Sequence, residues 1–137
     1  MAAQEINEWT PPEFERVEGF CTRFPESCAT ANPLRIDPKS RFIIDSYGRT
    51  TILHGVNIVY KVAPYLPSDG DFDPQISLND ADIANMKRWG MNFVRLGVMW
   101  EAVEREAGQY DFFYLERVER MINKLGEAGI YTLVDAH

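Results

Sequence analysis

The chain has 137 residues, of which 45% are apolar and 26% are charged, and its formal net charge is −7 at pH 7. This composition is that of a globular protein and excludes wholesale disorder, and the acidic balance excludes the basic surface on which nucleic-acid binding depends. No apolar run reaches the roughly 18 to 20 residues that cross a bilayer, and the first residues lack the pattern of an export signal. We therefore expect no transmembrane segment and no visible leader.

Residues 1–40 are predicted to form an irregular N-terminal arm, because they hold five of the eight prolines and show no apolar periodicity. Cys21 and Cys28 lie in this arm. Their spacing allows either two free thiols or a small disulfide loop. A metal site is not expected there, since neither His54 nor His137 is close in sequence and zinc usually takes four ligands.

Residues 41–137 are predicted to form one α/β unit that begins with a β-hairpin. Its strands are Arg41–Asp45 and Thr50–Val59, with Gly48 in the intervening turn. A loop follows over Tyr60–Ile76.

A first helix is predicted from a capping box at Ser77–Asp80 to Trp89, with Gly90 ending it. Its inward face is expected to carry Ile83, Met86 and Lys87.

Residues 91–100 are almost entirely apolar, which is typical of a parallel strand covered on both faces. A second helix is predicted from Asp111 to Ala128, and a further strand over residues 130–137. The inward stripe of this helix is expected to be Leu115, Val118, Ile122 and Leu125. The order strand, helix, strand, helix, strand predicts a parallel sheet and an α/β fold.

Parallel α/β folds gather function at the carboxyl ends of their strands. The predicted strands bring polar and aromatic side chains to that edge: Asn57, Lys61, Arg95, Trp100, Asp135 and His137. Aromatic faces together with charged hydrogen-bonding groups suit a sugar ligand.

Simpler structural interpretations stay open for several of these residues. Arg95 can be a structural cation held by Asp135, and Trp100 can cover the core. Asp135 and His137 can belong to a metal site, although a third ligand is not apparent, so no metal is expected.

Several kinds of catalytic site are excluded. Glu101 and Glu104 lie three residues apart on one short loop, from which two carboxylates cannot easily flank a glycosidic bond at the roughly 5 to 5.5 Å of a retaining pair, so they are a disfavoured catalytic pair. No glycine-rich phosphate loop follows a strand and no nucleophile elbow is present. We therefore expect no nucleotide cofactor, and hydride-transfer, phosphoryl-transfer and esterase chemistry all lack their usual sequence support.

Six motifs, in order and at consistent spacing, resemble the start of a family-five glycoside hydrolase, with a particular likeness to endoglycoceramidases. They are Asp45–Arg49, Leu53–Asn57, Tyr60–Lys61, Trp89–Glu104, Gly108–Asp111 and Leu133–His137.

The resemblance implies a (β/α)₈ barrel that cleaves the bond between sugar and ceramide with retention, of which this chain holds about three strands and two helices. It implies that Lys61, Asp135 and His137 line the sugar site and that Arg95 braces the nucleophile. Trp100 and Asn57, which lie at the same strand ends, are expected to support the site. The two catalytic glutamates belong to strands four and seven, for which this sequence has no positions. The chain is thus expected to be an N-terminal portion that is inactive alone.

The implied substrate is a glycolipid or related β-glucoside, with transient contact to a membrane surface in the parent protein. The family implies an extracellular or endolysosomal compartment. Two alternatives remain: a parent acting on a β-glucan or steryl glucoside, and a non-catalytic α/β module that self-associates. The loop Tyr60–Ile76 bears on the first of these, since Val62, Tyr65 and Leu66 are candidates for an acyl-chain groove.

Overall fold

The computed structural model describes residues 33–137, which divide into two compact units, residues 33–51 and residues 52–137. Most of the predicted N-terminal arm, including Cys21 and Cys28, lies outside the described residues.

The first unit is a small antiparallel pair. Strand β1 (Arg35–Ile36) pairs with β2 (Ile43–Ile44). In the connection, Asp37 accepts hydrogen bonds from the Ser40 backbone at 2.9 Å and hydroxyl at 2.6 Å. The Ser40 hydroxyl, followed by its backbone N–H, holds the pKa of Asp37 below its ordinary value.

The predicted hairpin is therefore only partly correct. The turn is present, because the Gly48 N–H donates to the Asp45 carbonyl at 3.0 Å. However, Thr50 makes a single bridge to Ile44, and the partner of β2 is β1, a segment that was expected to be irregular. A strand of two residues is too short to show a periodicity in sequence.

The second unit is built on a three-stranded parallel sheet, as the alternating pattern predicted. The strands are β3 (Gly55–Ile58), β4 (Phe93–Val98) and β7 (Tyr131–Ala136). The register aligns Asn57 with Arg95 on the neighbouring strand, and Gly97 with Asp135 on the next.

Helix α1 (Asp80–Arg88) covers the connection from β3 to β4. Its capping box lies two residues later than predicted, because the Asn79 side chain accepts from the backbone N–H of Asp82 at 3.1 Å and Asp82 returns a bond to the Asn79 backbone. Ile83 and Met86 are buried as expected, but Lys87 is exposed, so its inward assignment was wrong.

A short helix and hairpin, which the sequence patterns did not predict, follow β4. They are α2 (Trp100–Val103), β5 (Glu104–Glu106) and β6 (Gln109–Tyr110). Glu104 Oε1 accepts a hydrogen bond from the Gly108 N–H at 2.6 Å. This carboxylate therefore holds a turn.

Helix α3 (Phe112–Glu127) begins at its predicted N-cap, where Asp111 accepts from the Tyr114 N–H at 2.9 Å. Its buried stripe is Tyr114, Val118, Met121 and Leu125. Leu115 and Ile122, which were expected inward, are only half-buried. Both stripes have helical spacing, so only packing against the sheet selects between them.

The core of the second unit lies between the sheet and its helices. Alternate residues of β4 pack into it, with Val94 and Leu96 fully buried, while Arg95 and Gly97 point to the other face of the sheet. Among the described residues, no helix is long and apolar enough to span a bilayer.

Candidate functional site

Two neighbouring parallel strands place Asn57 and Arg95 side by side at the carboxyl half of the sheet. They are direct register partners, and Arg95 Nη1 donates to Asn57 Oδ1 at 2.6 Å. The Asn57 amide thus fixes one terminal nitrogen of the guanidinium, and the other terminal nitrogen, Nη2, is available to β7.

Asp135 binds that second arm. Arg95 Nη2 lies 2.5 Å from Asp135 Oδ2, although Asp135 is in register with Gly97 and not with Arg95. Since Gly97 has no side chain, nothing on β4 stands between the guanidinium and the carboxylate along this face. A charge-assisted hydrogen bond between a guanidinium and a carboxylate is among the stronger hydrogen bonds in proteins.

His137 shares the same carboxylate oxygen. Its Nε2 lies 2.6 Å from Asp135 Oδ2, so Nε2 must carry the proton, either in the neutral tautomer or in the imidazolium. The neutral ring then offers Nδ1 as an acceptor, and the charged ring offers it as a donor. In both states Asp135 orients the ring.

The backbone of His137 is held as firmly as its ring. Its N–H donates to the Val98 carbonyl at 3.0 Å, and its carbonyl accepts from the Trp100 N–H at 2.7 Å. These bonds extend the β4–β7 ladder beyond the end of β7. They also place Trp100, whose side chain is exposed, next to His137 along the edge of the sheet.

Lys61 follows β3 by a few residues, and its side chain is exposed. It forms no hydrogen bond or ion pair with any residue of the described range. The turn after it is well held, because the Tyr65 N–H donates to the Val62 carbonyl at 2.7 Å and the Tyr114 hydroxyl donates to the Tyr65 carbonyl at 3.0 Å. The loop that carries Lys61 is thereby tied to α3.

Tyr114 was not among the predicted site residues. Its ring is buried, which raises the pKa of its hydroxyl above the ordinary value, and the hydroxyl donates to the Tyr65 backbone carbonyl on the loop. The available sequence signal was its position four residues before Val118 on a helical stripe.

The structure therefore joins four of the six predicted site residues in one network and places Trp100 beside it through the backbone. Lys61 is the member that it does not connect. Within residues 33–137, no three His, Cys, Asp or Glu side chains are grouped as metal ligands would be.

The network is accessible to solvent and is chemically suited to hydroxyl groups. The side chains of Arg95, Asp135 and His137 are 37%, 26% and 33% exposed. Asp135 Oδ1 and His137 Nδ1 form no hydrogen bond with any described residue, so both atoms are free to bond a ligand. Trp100 adds an aromatic face.

The fold and the network define an α/β protein with a polar and aromatic site at the carboxyl edge of a parallel sheet. The chain belongs to glycosyl hydrolase family 5, because the cellulase model of that family matches residues 44–137.

Two proteins that are similar to this chain are named endoglycoceramidases. Endoglycoceramidase I of Rhodococcus hoagii (strain 103S) is 42% identical over 69% of this chain, and the endoglycoceramidase of Cyanea nozakii is 34% identical over 76% of it. The matched regions are 18% and 20% of those two proteins.

The solved structure of endo-glycoceramidase II from Rhodococcus sp., as a lactosyl-enzyme intermediate, is similar to this chain with a TM-score of 0.51 and 32% identity. The similarity covers 69% of this chain and 20% of that one. The chain thus spans about a fifth of the length of the relatives that it matches.

Proposed function

We propose that this chain is the N-terminal, sugar-binding part of a retaining β-glycosidase of the endoglycoceramidase type. Such an enzyme cleaves the bond between sugar and ceramide in glycosphingolipids. The observation that carries the proposal is the shared carboxylate of Asp135, which holds Arg95 and His137 together at the carboxyl edge of the sheet.

In the proposed site, the substrate is held by Lys61, Asp135 and His137. Asp135 accepts from a sugar hydroxyl through Oδ1, and His137 bonds a neighbouring hydroxyl through Nδ1. Lys61 donates from the loop after β3. Arg95 is a positioning residue, since its guanidinium is fixed by Asn57 and Asp135, and Trp100 offers a face for a sugar ring.

The three parallel strands are proposed to be the first three of a (β/α)₈ barrel, in which the site forms at the carboxyl edge. Support comes from the register of β3, β4 and β7 and from relatives about five times as long as the matched region. The catalytic glutamates are expected on later strands of that barrel. The covalent lactosyl intermediate of the Rhodococcus structure is of the kind that retaining enzymes form.

The test uses two preparations: the 137-residue chain and the protein translated from the complete gene. Each is assayed with fluorescent lactosylceramide, with an aryl β-cellobioside and with a steryl glucoside. We expect the complete protein to release intact lactose with retained configuration, and the chain alone to release none.

Site variants sharpen the test. In the complete protein, Lys61→Ala and His137→Ala each remove a hydrogen bond to the sugar and should lower kcat/KM at least about tenfold. The matched control is Lys87→Ala, an exposed lysine on α1, which should leave kcat/KM within about twofold. Turnover by the short chain that is insensitive to Lys61 and His137 would refute the proposal.

The substrate panel separates the alternatives. A preference for the cellobioside or for the steryl glucoside would move the assignment to a β-glucan or steryl-glucoside hydrolase. A soluble, cooperatively melting oligomer of the 137-residue chain, with no hydrolysis by either preparation, would favour the self-associating module.

A further inference from the structure

An aromatic segment at the start of α3 is left in solvent. Phe112 is 70% exposed and Phe113 is 68% exposed. Each would contribute about 1.5–3 kcal/mol if it were buried, so two adjacent exposed phenylalanines are a candidate contact surface for another phase or a partner.

The segment lies at the same end of the sheet as the Arg95 network. Helix α3 begins after the carboxyl end of β4, and Tyr114 in its first turn lies beside the backbone of Met99, the residue that follows β4. The two phenylalanines therefore share an edge of the fold with the candidate sugar site.

Phe113 lies across a groove from part of the loop that follows β3. Phe113 lines a groove of about 330 Å³ whose opposite wall is the loop residues Leu66, Pro67 and Asp69. Both walls belong to this chain, and the groove is open in spite of them.

Basic residues continue the same side of the helix. Arg117, Arg120 and Lys124 follow Phe113 at helical spacing and line the groove. Lys124 is paired with Asp80 at 3.0 Å, whereas no described residue forms an ion pair with Arg117 or Arg120.

The acids near this stripe are few. Asp69 lines the groove opposite the arginines, and Asp111 is occupied as the helix N-cap. Glu116 and Glu119 are exposed and follow Phe112 at helical spacing, so they lie on the Phe112 side of the helix and away from the groove. The stripe is thus locally cationic on a chain whose net charge is −7.

The distances along the helix match the layers of a membrane surface. At a rise of about 1.5 Å per residue, Arg117 lies about 6 Å and Arg120 about 10 Å from Phe113 along the axis. When the phenyl rings enter the acyl boundary, both guanidinium groups reach the level of the lipid phosphates, which arginine binds in a bidentate manner.

We propose that Phe112, Phe113, Arg117 and Arg120, here called the aromatic-basic edge, dock the protein on an anionic bilayer. The inference rests on the proposed function in one respect: a glycosphingolipid is presented to the site by the membrane. Docking at this edge places the carboxyl end of the sheet against the lipid surface that holds the substrate.

The test is co-sedimentation of the full chain with phosphatidylcholine vesicles and with vesicles in which about a third of the lipid is phosphatidylserine. We expect the wild type to bind the anionic vesicles more tightly, with an affinity that falls as salt is added. The double variant Phe112→Ser/Phe113→Ser should lose at least about tenfold on both kinds of vesicle. The variant Arg117→Gln/Arg120→Gln should lose at least about tenfold on anionic vesicles only, at about 1 kcal/mol per cation.

Matched controls use the other end of the sheet. Trp89→Ser removes an exposed aromatic side chain just after α1, and Lys87→Gln/Arg88→Gln removes two exposed charges from that helix. Both should bind vesicles within about twofold of the wild type. Circular dichroism of each variant establishes that helix content is unchanged.

Three results would overturn the inference: no vesicle binding by the wild type, an equal loss in the control variants, or a loss in the arginine variant that is the same on neutral and anionic vesicles. An edge that is instead a contact between two copies would appear as a dimer that Phe112→Ser/Phe113→Ser dissociates. A complete protein that hydrolyses glycolipid in detergent but does not bind vesicles would refute the membrane-docking inference and leave the proposed function standing. Vesicle binding without hydrolysis would refute only the proposed function.

Discussion

The Arg95 guanidinium and the Asp135 carboxylate come from adjacent parallel strands and meet at 2.5 Å across a position that has no side chain. Asp135 is the register partner of Gly97, two residues beyond Arg95. The pair therefore depends on the strand register as well as on the residue types, because a shift by one residue would turn one partner to the opposite face.

A double-mutant cycle should reveal this pair as the strongest ionic coupling of the sheet. Arg95→Ala, Asp135→Ala and the double variant are expected to show a coupling of about 1 kcal/mol in urea unfolding, a value reduced by the partial exposure of both groups. The control is the exposed pair Lys124–Asp80, for which the coupling should stay below about 0.5 kcal/mol. Equal couplings would show that the network makes no special contribution.

Two glycine replacements should have opposite effects on stability. A Cβ on Gly97 would lie 2.9 Å from both methyl groups of Val59, so Gly97→Ala should destabilise the chain by about 1–3 kcal/mol. A Cβ on Gly126, in α3, would meet nothing within 4 Å, so Gly126→Ala should stabilise it by about 0.5–1 kcal/mol. Denaturant midpoints measure both, and a neutral Gly97→Ala would contradict the close approach of Val59.

Tyr114 should make stability depend on pH in the alkaline range. Burial raises the pKa of its hydroxyl above the ordinary value of 10.0, so the protonated form stabilises the native state. That contribution is complete below about pH 10 and is lost as the pH rises through the native pKa.

Tyr114→Phe should therefore cost about 1–3 kcal/mol at pH 7, because the Tyr65 carbonyl loses its donor. The deficit relative to the wild type should shrink above about pH 10. Tyr110→Phe, at an exposed position, is the control. Its free energy of unfolding relative to the wild type should not change in this way above about pH 10. A deficit for Tyr114→Phe that stays constant to high pH would count against a buried hydroxyl.

The start of α1 can be located by two substitutions. Asn79→Ala removes the acceptor for the N–H groups of Ala81 and Asp82 and should cost about 1–2 kcal/mol in urea unfolding. Ser77→Ala removes one bond to Asp82 and should cost less, about 0.5–1 kcal/mol. A larger loss of stability for Ser77→Ala than for Asn79→Ala would instead support the capping box predicted at Ser77–Asp80.

Much of the architecture was determined by sequence alone, because its signals are local. The apolar run around Arg95, the N-cap at Asp111 and the glycines that end the helices predicted three parallel strands and two helices, and the motifs from Asp45 to His137 indicated the family. The possible pairing of Arg95 with Asp135 was also foreseen, since both lie on strands whose carboxyl ends meet.

Tertiary structure decided the features for which the local sequence patterns allow more than one arrangement. The stripe through Tyr114 and the stripe through Leu115 have the same helical period, and only contact with the sheet buries the first. The partner of β2, the sharing of one Asp135 oxygen by Arg95 and His137, and the bond from Tyr114 to Tyr65 are likewise set by register and packing. Such contacts join segments that are distant in sequence. Short-range periodicity does not specify how these segments lie relative to one another, because their placement follows from the close packing of the elements around a common core.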